Sequence, residues 1–249
     1  MKKSTKRYIA ASAAFILAFG IAPSANAMHI MEGYLPAGFC VAWGVVCLPF
    51  LLAGFRSIQK TLKADRKALP LLAMAGAFVF VISSLKKIPS VTGSCSHMTG
   101  TGLGALLFGP SAVSILGIIV LLFQAILLAH GGLTTLGANT FSMAVAGPFV
   151  SFGIYKLCQK TKLNKNVSVF LAAALGDLFT YCVTAFQLAI AHHADTTIGT
   201  ACLKFLAVFA PTQIPLAVIE GILTVLIISA LESYAKPELR AIGFLKEDK

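Results

Sequence analysis

The chain alternates between long apolar runs and short segments in which polar, charged or glycine residues gather. A helix needs about 20 apolar residues to cross the hydrocarbon core of a membrane, and most of the runs approach that length. We therefore expect an all-α integral membrane protein, a bundle of about seven transmembrane helices whose short third member packs inside the bundle. After an N-terminal run, the predicted helices cover residues 38–55, 69–85, a short piece ending at 108, then 112–129, 139–157, 167–191 and 205–231, the last interrupted by Pro211 and Pro215.

Composition and charge support this membrane assignment. The 249 residues are 57% hydrophobic and 12% charged, and no stretch has the polar face that a soluble domain needs. The basic residues gather near residues 56–67, 156–165 and the C-terminal tail, which predicts that these segments are cytoplasmic. No basic pattern interleaved with aromatic residues occurs, so we expect no nucleic-acid partner.

The first 27 residues have the pattern of a secretory signal peptide. Lys2, Lys3, Lys6 and Arg7 precede an apolar run over residues 8–22, and residues 25–27 (ANA) form a small-x-small cleavage site. Cleavage there would leave residues 28–249 as a single transmembrane domain in the cell membrane, with an extracytoplasmic N-terminus at Met28. Alternatively, Met28 is the true start and residues 1–27 are an extension, which gives the same terminus.

A free amine one residue before a histidine is a chelating group. The amine of Met28, the amide nitrogen of His29 and the nearer imidazole nitrogen of His29 can reach one metal ion together. Nitrogen ligands in a tetragonal plane suit Ni(II), Cu(II) and related late divalent ions, and this set leaves one planar position open. The alternative is that His29 is an ordinary surface residue.

All five histidines fall on or near the predicted external side. His97 lies in a glycine-rich segment entering the membrane, and it is either the fourth metal ligand or an incidental residue of a packing segment. For His130 we favour a position capping the end of the preceding helix over a metal ligand. For His192 and His193, with Asp195, we favour a solvated turn over a weak metal-attracting patch.

Two carboxylates, Asp177 and Glu220, lie inside apolar runs, where a charge is costly unless it is paired or solvated. They could serve proton coupling, or equally form a structural pair or support a helix break near Pro215. The phosphate-binding motif G-x-x-x-x-G-K-[ST] and the common hydrolase motifs are absent from the sequence. Energy for any transport would then come from a partner or an ion gradient.

Three stretches resemble the cobalt-transport M protein family (CbiM type). They are residues 28–36 (MHIMEGYLP) followed by Trp43, residues 96–105 (SHMTGTGLGA) with 108–110 (FGP), and residues 121–144, which contain LLFQA and LAHGGLTTLGANTFSMA. The motifs are long, and the resemblance covers essentially the whole chain after residue 27.

The resemblance implies a transporter subunit rather than an enzyme, the substrate-binding S component of an energy-coupling factor (ECF) ABC-type importer. It implies import of Co(II) for cobalamin biosynthesis, and three partners: a transmembrane coupling protein, a cytoplasmic ATPase and a small accessory membrane subunit. It also implies that the metal is held by the Met28 amine, the His29 amide and imidazole, and His97. A related nickel family shares the Met-His start, so Ni(II) is the alternative substrate. A membrane-embedded metalloenzyme is a more distant alternative.

Overall fold

The computed structural model describes residues 29–64, 66, 68–84, 88–89, 94–161, 163–193 and 196–245. The predicted signal peptide, Met28 and Asp195 lie outside these residues, so the predicted cleavage point stays a prediction. The nine α-helices described are α1 (Ala37–Ala64), α2 (Ala68–Ser84), α3 (Thr101–Phe108), α4 (Pro110–Leu128), α5 (Leu136–Asn139), α6 (Gly147–Lys160), α7 (Lys165–Ala191), α8 (Ile198–Tyr234) and α9 (Lys236–Ala241).

The apolar runs form helices as predicted, and the chain is an all-α multi-pass membrane protein. Within the described residues, five helical segments are long and apolar enough to span a membrane, and α2 is a shorter apolar helix. The five segments are Ala37–Lys63, Pro110–Leu128, Leu136–Lys160, Lys165–Ala191 and Ile198–Tyr234.

Helix α3 occupies the place of the predicted third span, but it is too short to cross alone. Its eight residues rise about 12 Å, whereas the hydrocarbon core is about 30 Å thick. Seven of those residues are buried, and so are the four non-helical residues that precede them. The segment therefore packs inside the bundle, as its glycine content predicted, because irregular backbone at this depth must be surrounded by protein.

The structure differs from the predicted helix over residues 139–157 at its N-terminal end. Helix α5 continues into a π-helical segment, Thr140–Ala146, which leads directly into α6. Pro148 accounts for the wider π-helical turns that precede it, because a proline has no amide hydrogen and its ring clashes with the carbonyl four residues earlier. Periodicity of apolar residues carries no signal for this change of register.

The prediction that Pro211 and Pro215 interrupt the last helix is wrong. Helix α8 is continuous from Ile198 to Tyr234. Membrane helices tolerate prolines where neighbouring protein and small backbone adjustments compensate for the lost amide donors.

Three short strands close one end of the bundle. They are β1 (His29–Ile30), β2 (Ile88–Pro89) and β3 (Ser94–Ser96), arranged in the order β1-β3-β2 with both pairs antiparallel. In the β1–β3 pair His29 lies opposite Cys95, two residues before His97. The sheet thus brings the start of the described chain next to the glycine-rich segment.

Candidate metal centre

The side chain of Asn139 holds the N-terminal segment inside the bundle by hydrogen bonds like those from a neighbouring strand. The Asn139 side chain accepts a hydrogen bond from the Ile30 amide (2.8 Å) and donates one to the Ile30 carbonyl (3.0 Å). Thr135 donates a second hydrogen bond to the same carbonyl (2.8 Å). His29 and Ile30 are both fully buried as a result.

Three histidines from distant parts of the chain meet at this point. The rings of His29, His97 and His130 have centroids 4.4 to 4.8 Å apart, and their ligand nitrogens all lie within 4.8 Å of one another. All three side chains are buried. The structure thus brings the predicted residues His29 and His97 together and adds His130.

Hydrogen bonds indicate which nitrogen carries the hydrogen in the His29 and His97 rings. Gln124 donates from its amide nitrogen to the Ser83 hydroxyl (2.6 Å), so its carbonyl oxygen faces Nε2 of His29 at 3.2 Å and accepts from it. Nδ1 of His97 lies 2.7 Å from the Met98 carbonyl, which can only accept. The lone pairs of His29 Nδ1 and His97 Nε2 are therefore left to point toward each other.

Those two nitrogens are 2.8 Å apart. Two lone pairs at this distance repel unless a proton or a cation lies between them. Nitrogen ligands of a divalent metal lie at about 2.0–2.1 Å, so two ligands in adjacent positions are about 2.8–3.0 Å apart. The observed separation is that of adjacent ligands around one metal ion.

Burial keeps the His29 imidazole in the form that binds metals. Loss of solvent lowers the pKa of His29 well below its usual range, and the neighbouring His97 and His130 lower it further. A neutral ring offers its lone pair, whereas a protonated ring does not. The neutral His29 ring therefore keeps a lone pair available for a metal ion.

A tight turn at Gly131 packs against the His29 side of the centre. Gly131 has a φ of 73°, and a Cβ atom there would lie 3.2 Å from Cδ2 of His29 and 3.1 Å from the Asn139 amide nitrogen. The carbonyl of Gly131 accepts from the Glu32 amide (3.2 Å), and the Glu32 carboxylate accepts from Thr134. The hydroxyl of Thr134 is the chief cause of the lowered pKa of Glu32.

The two buried carboxyl groups hold the backbone that carries His97. Glu220 accepts hydrogen bonds from the Thr99 amide (2.6 Å), the Thr99 hydroxyl (2.7 Å) and the Gly100 amide (3.0 Å). Asp177 accepts a hydrogen bond from the Gln213 side-chain amide (2.7 Å), and Gln213 also donates to the His97 carbonyl (3.4 Å). These contacts fit the predicted structural role, the proton-coupling role stays a prediction, and the helix break near Pro215 is absent because α8 is continuous.

The remaining histidines lie on the surface. His192 is hydrogen-bonded to the Tyr34 carbonyl (2.9 Å) and lies beside the Tyr34 ring at a tilt of 46°, and His193 contacts the Ile190 carbonyl. Both are exposed, which agrees with the predicted solvated turn. The predicted ligand Met28 lies outside the described residues, so its amine stays a prediction.

Sequence reasoning placed His130 at the end of the preceding helix but did not predict where its ring lies, and it gave Gln124 no role. His130 does follow the end of α4, where its amide donates to the Gln124 carbonyl (3.1 Å), but its ring belongs to the histidine cluster. The one available signal was the external placement of all five histidines. Gln124 sits in an apolar run, where a lone polar residue is itself a sign of a buried hydrogen-bonding role.

Comparison with known proteins gives a consistent result. The family described as "CbiM: Cobalt uptake substrate-specific transmembrane region" matches residues 29–239. A protein named cobalt transport protein CbiM from Lachnoclostridium phytofermentans is 70% identical over 246 residues, covering 98% of each chain. One of the same name from Chlorobium limicola is 60% identical, covering 95% of this chain and 92% of that protein. These relatives are named as transport proteins rather than enzymes.

Solved structures show the same fold. A crystal structure titled as a transition metal transporter is 30% identical with a TM-score of 0.71, covering 84% of this chain and 94% of that chain. A truncated form has the same identity and TM-score, covering 83% of this chain and 99% of that chain.

Proposed function

The chain belongs to the CbiM family of cobalt-uptake substrate-specific transmembrane proteins, and we propose that it captures Co(II) at the outer face of the cell membrane as the S component of an ECF-type importer. The observation that carries this proposal is the pair of buried imidazoles whose facing nitrogens are 2.8 Å apart. The names of the relatives support cobalt as the substrate.

The proposed ligands are the Met28 amine, the His29 amide nitrogen, Nδ1 of His29 and Nε2 of His97. The first three close one five-membered and one six-membered chelate ring, and His97 takes the remaining planar position. The arrangement of His29 supports this set, since its Nε2 faces Gln124 and leaves Nδ1, the nitrogen nearer the backbone, for the metal. Hard ions such as Mg(II) prefer oxygen ligands and retain their water, so this nitrogen set excludes them.

Release of the metal into the cell would depend on partners. The sequence has no phosphate-binding motif for ATP, so we propose that a separate cytoplasmic ATPase acts through a transmembrane coupling protein, with a small accessory membrane subunit. The imported Co(II) would serve cobalamin biosynthesis. The basic residues near 56–67 and 156–165 support a cytoplasmic position for those loops and an outward N-terminus.

Nickel is the second candidate substrate, because a plane of four nitrogens that includes an amide also suits Ni(II). Competition between Co(II) and Ni(II) for the purified protein separates the two. Tighter binding of Ni(II), together with nickel accumulation by cells that express the complete transporter, would favour the nickel importer.

Metal titration of purified variants tests the proposed ligands. We expect His29→Ala and His97→Ala each to abolish high-affinity Co(II) binding, and the control His193→Ala to bind as the unchanged protein does. Mass spectrometry of the purified protein should give a mature N-terminus at Met28. A different terminus, or full Co(II) affinity in His97→Ala, would contradict the proposed site.

A further inference from the structure

The turn that carries His130 has a backbone conformation that its sequence does not favour. Ala129 has a φ of 46°, and it is the one non-glycine residue with positive φ among those the structure describes. A left-handed alanine is costly and persists where the surrounding structure requires it. Here it ends α4 and turns the chain so that the His130 ring enters the histidine cluster.

The His130 ring stands beside the other two rings at nearly equal distances. Its centroid is 4.8 Å from that of His29 and 4.7 Å from that of His97, with the rings tilted by 36° and 55°. His29 and His97 already present the two nitrogens that lie 2.8 Å apart. Because the His130 ring is equidistant from the other two, it lies beside the position where His29 and His97 would share a metal ion.

The separations show how far His130 is from coordinating the same metal. A ligand above the plane is adjacent to every ligand in it, so its nitrogen would lie about 2.8–3.0 Å from theirs, given metal–nitrogen distances of about 2.0–2.1 Å. The ligand nitrogens of the three histidines lie within 4.8 Å of one another. A side-chain movement of up to about 2 Å would bring His130 into coordination.

We propose that His130 is an apical ligand, which completes a five-coordinate site above the plane of four nitrogens. The inference rests on the proposed function and adds the basis of metal selection to it. Ni(II) and Cu(II) bind most nitrogen sites more tightly than Co(II), so a site selects Co(II) through geometry instead of through affinity alone. Ni(II) in a plane of four strong nitrogen donors needs no fifth ligand, whereas Co(II) gains from an apical imidazole.

Two variants separate coordination from packing. His130→Phe keeps a ring of similar shape and removes both nitrogens, and His130→Ala opens a space that added imidazole can fill. His193→Ala is the matched control, because His193 is exposed and its ring is hydrogen-bonded to the local carbonyl of Ile190. X-ray absorption at the metal edge reports the coordination number, and its edge features distinguish a square-planar ion from a five-coordinate one.

We expect the unchanged protein and His193→Ala to hold Co(II) with five light-atom neighbours. His130→Phe should hold Co(II) with four, and its preference for Co(II) over Ni(II) should fall at least tenfold. Imidazole added to His130→Ala should restore the fifth neighbour. Five neighbours in His130→Phe, or an unchanged metal preference, would overturn the apical role.

The proposed function fails on a different result. If His97→Ala binds Co(II) as the unchanged protein does, the site itself is misassigned. If His97→Ala loses binding while the His130 variants keep five neighbours, the site stands and only the apical role is overturned.

Discussion

Replacing Glu220 with alanine removes the carboxyl group that holds the backbone next to His97. Glu220 is buried and accepts hydrogen bonds from the amides of Thr99 and Gly100 and from the Thr99 hydroxyl. Both amides are at buried positions, so in the variant each loses its acceptor. A buried donor without a partner costs about 1–3 kcal/mol, so the bound geometry of this segment loses about 2–6 kcal/mol.

This cost should appear as weaker metal binding, because the segment leaves the conformation that presents His97. When the segment moves, the two amides regain hydrogen-bond partners. If this lowers the free energy of the moved conformation by about 2 kcal/mol, the conformation that presents His97 to the metal becomes about thirtyfold rarer, and the apparent Kd for Co(II) rises by the same factor. Glu220→Gln keeps one carbonyl oxygen as an acceptor and should lie between the alanine variant and the unchanged protein.

Calorimetric titration with Co(II) measures the effect, with thermal unfolding recorded on the same samples. The matched control is Glu232→Gln on the same helix, where Glu232 is partly exposed and pairs with Lys165. We expect that control to leave the Kd for Co(II) unchanged. Equal Co(II) affinity in Glu220→Ala and the unchanged protein would refute the idea that this carboxyl group positions His97.

Three further effects follow from the geometry. Gly131→Ala should lower the melting temperature and weaken Co(II) binding, because the new Cβ would crowd His29. The control is Gly243→Ala, where φ is also 73° but the space around the glycine is open. It should lower stability by about 1–2 kcal/mol without changing metal affinity. Asn139→Ala should free the N-terminal segment, seen as faster amide hydrogen exchange at Ile30 and as trimming by an aminopeptidase that spares the unchanged protein. The lowered pKa of His29 means that the unfolded chain binds this proton first, so the metal-free protein should lose stability as pH falls below about 6.5, and His29→Gln should reduce that slope in thermal unfolding.

Hydropathy was sufficient to predict the bundle, because a membrane leaves few choices to a long apolar run. The short third segment was also predictable, since residues 100–104 carry three glycines and Gly109-Pro110 ends the apolar piece that follows. The π-helical segment was not, because a change of hydrogen-bond register leaves the apolar pattern intact. The continuity of α8 through two prolines was not predictable either, because the local sequence does not show how the surrounding bundle supports that helix.

The parts of the site that depend on residues adjacent in sequence could be predicted. The chelating potential of Met28 and His29 follows from their adjacency, and His97 was singled out by its irregular, glycine-rich surroundings. The role of His130 depends on a left-handed alanine and on the packing of a distant strand, which no local pattern encodes. Sequence could place Glu220 and Asp177 in the membrane but could not say that they face the segment carrying His97.

Anomalous diffraction at the cobalt edge, from crystals of the Co(II)-loaded protein, tests the central claim most directly. We expect one strong peak between His29 and His97, about 2.0–2.1 Å from Nδ1 of the first and Nε2 of the second, with the Met28 amine at a similar distance. A peak at the surface histidines instead, or a chain end turned away from the metal, would contradict the account.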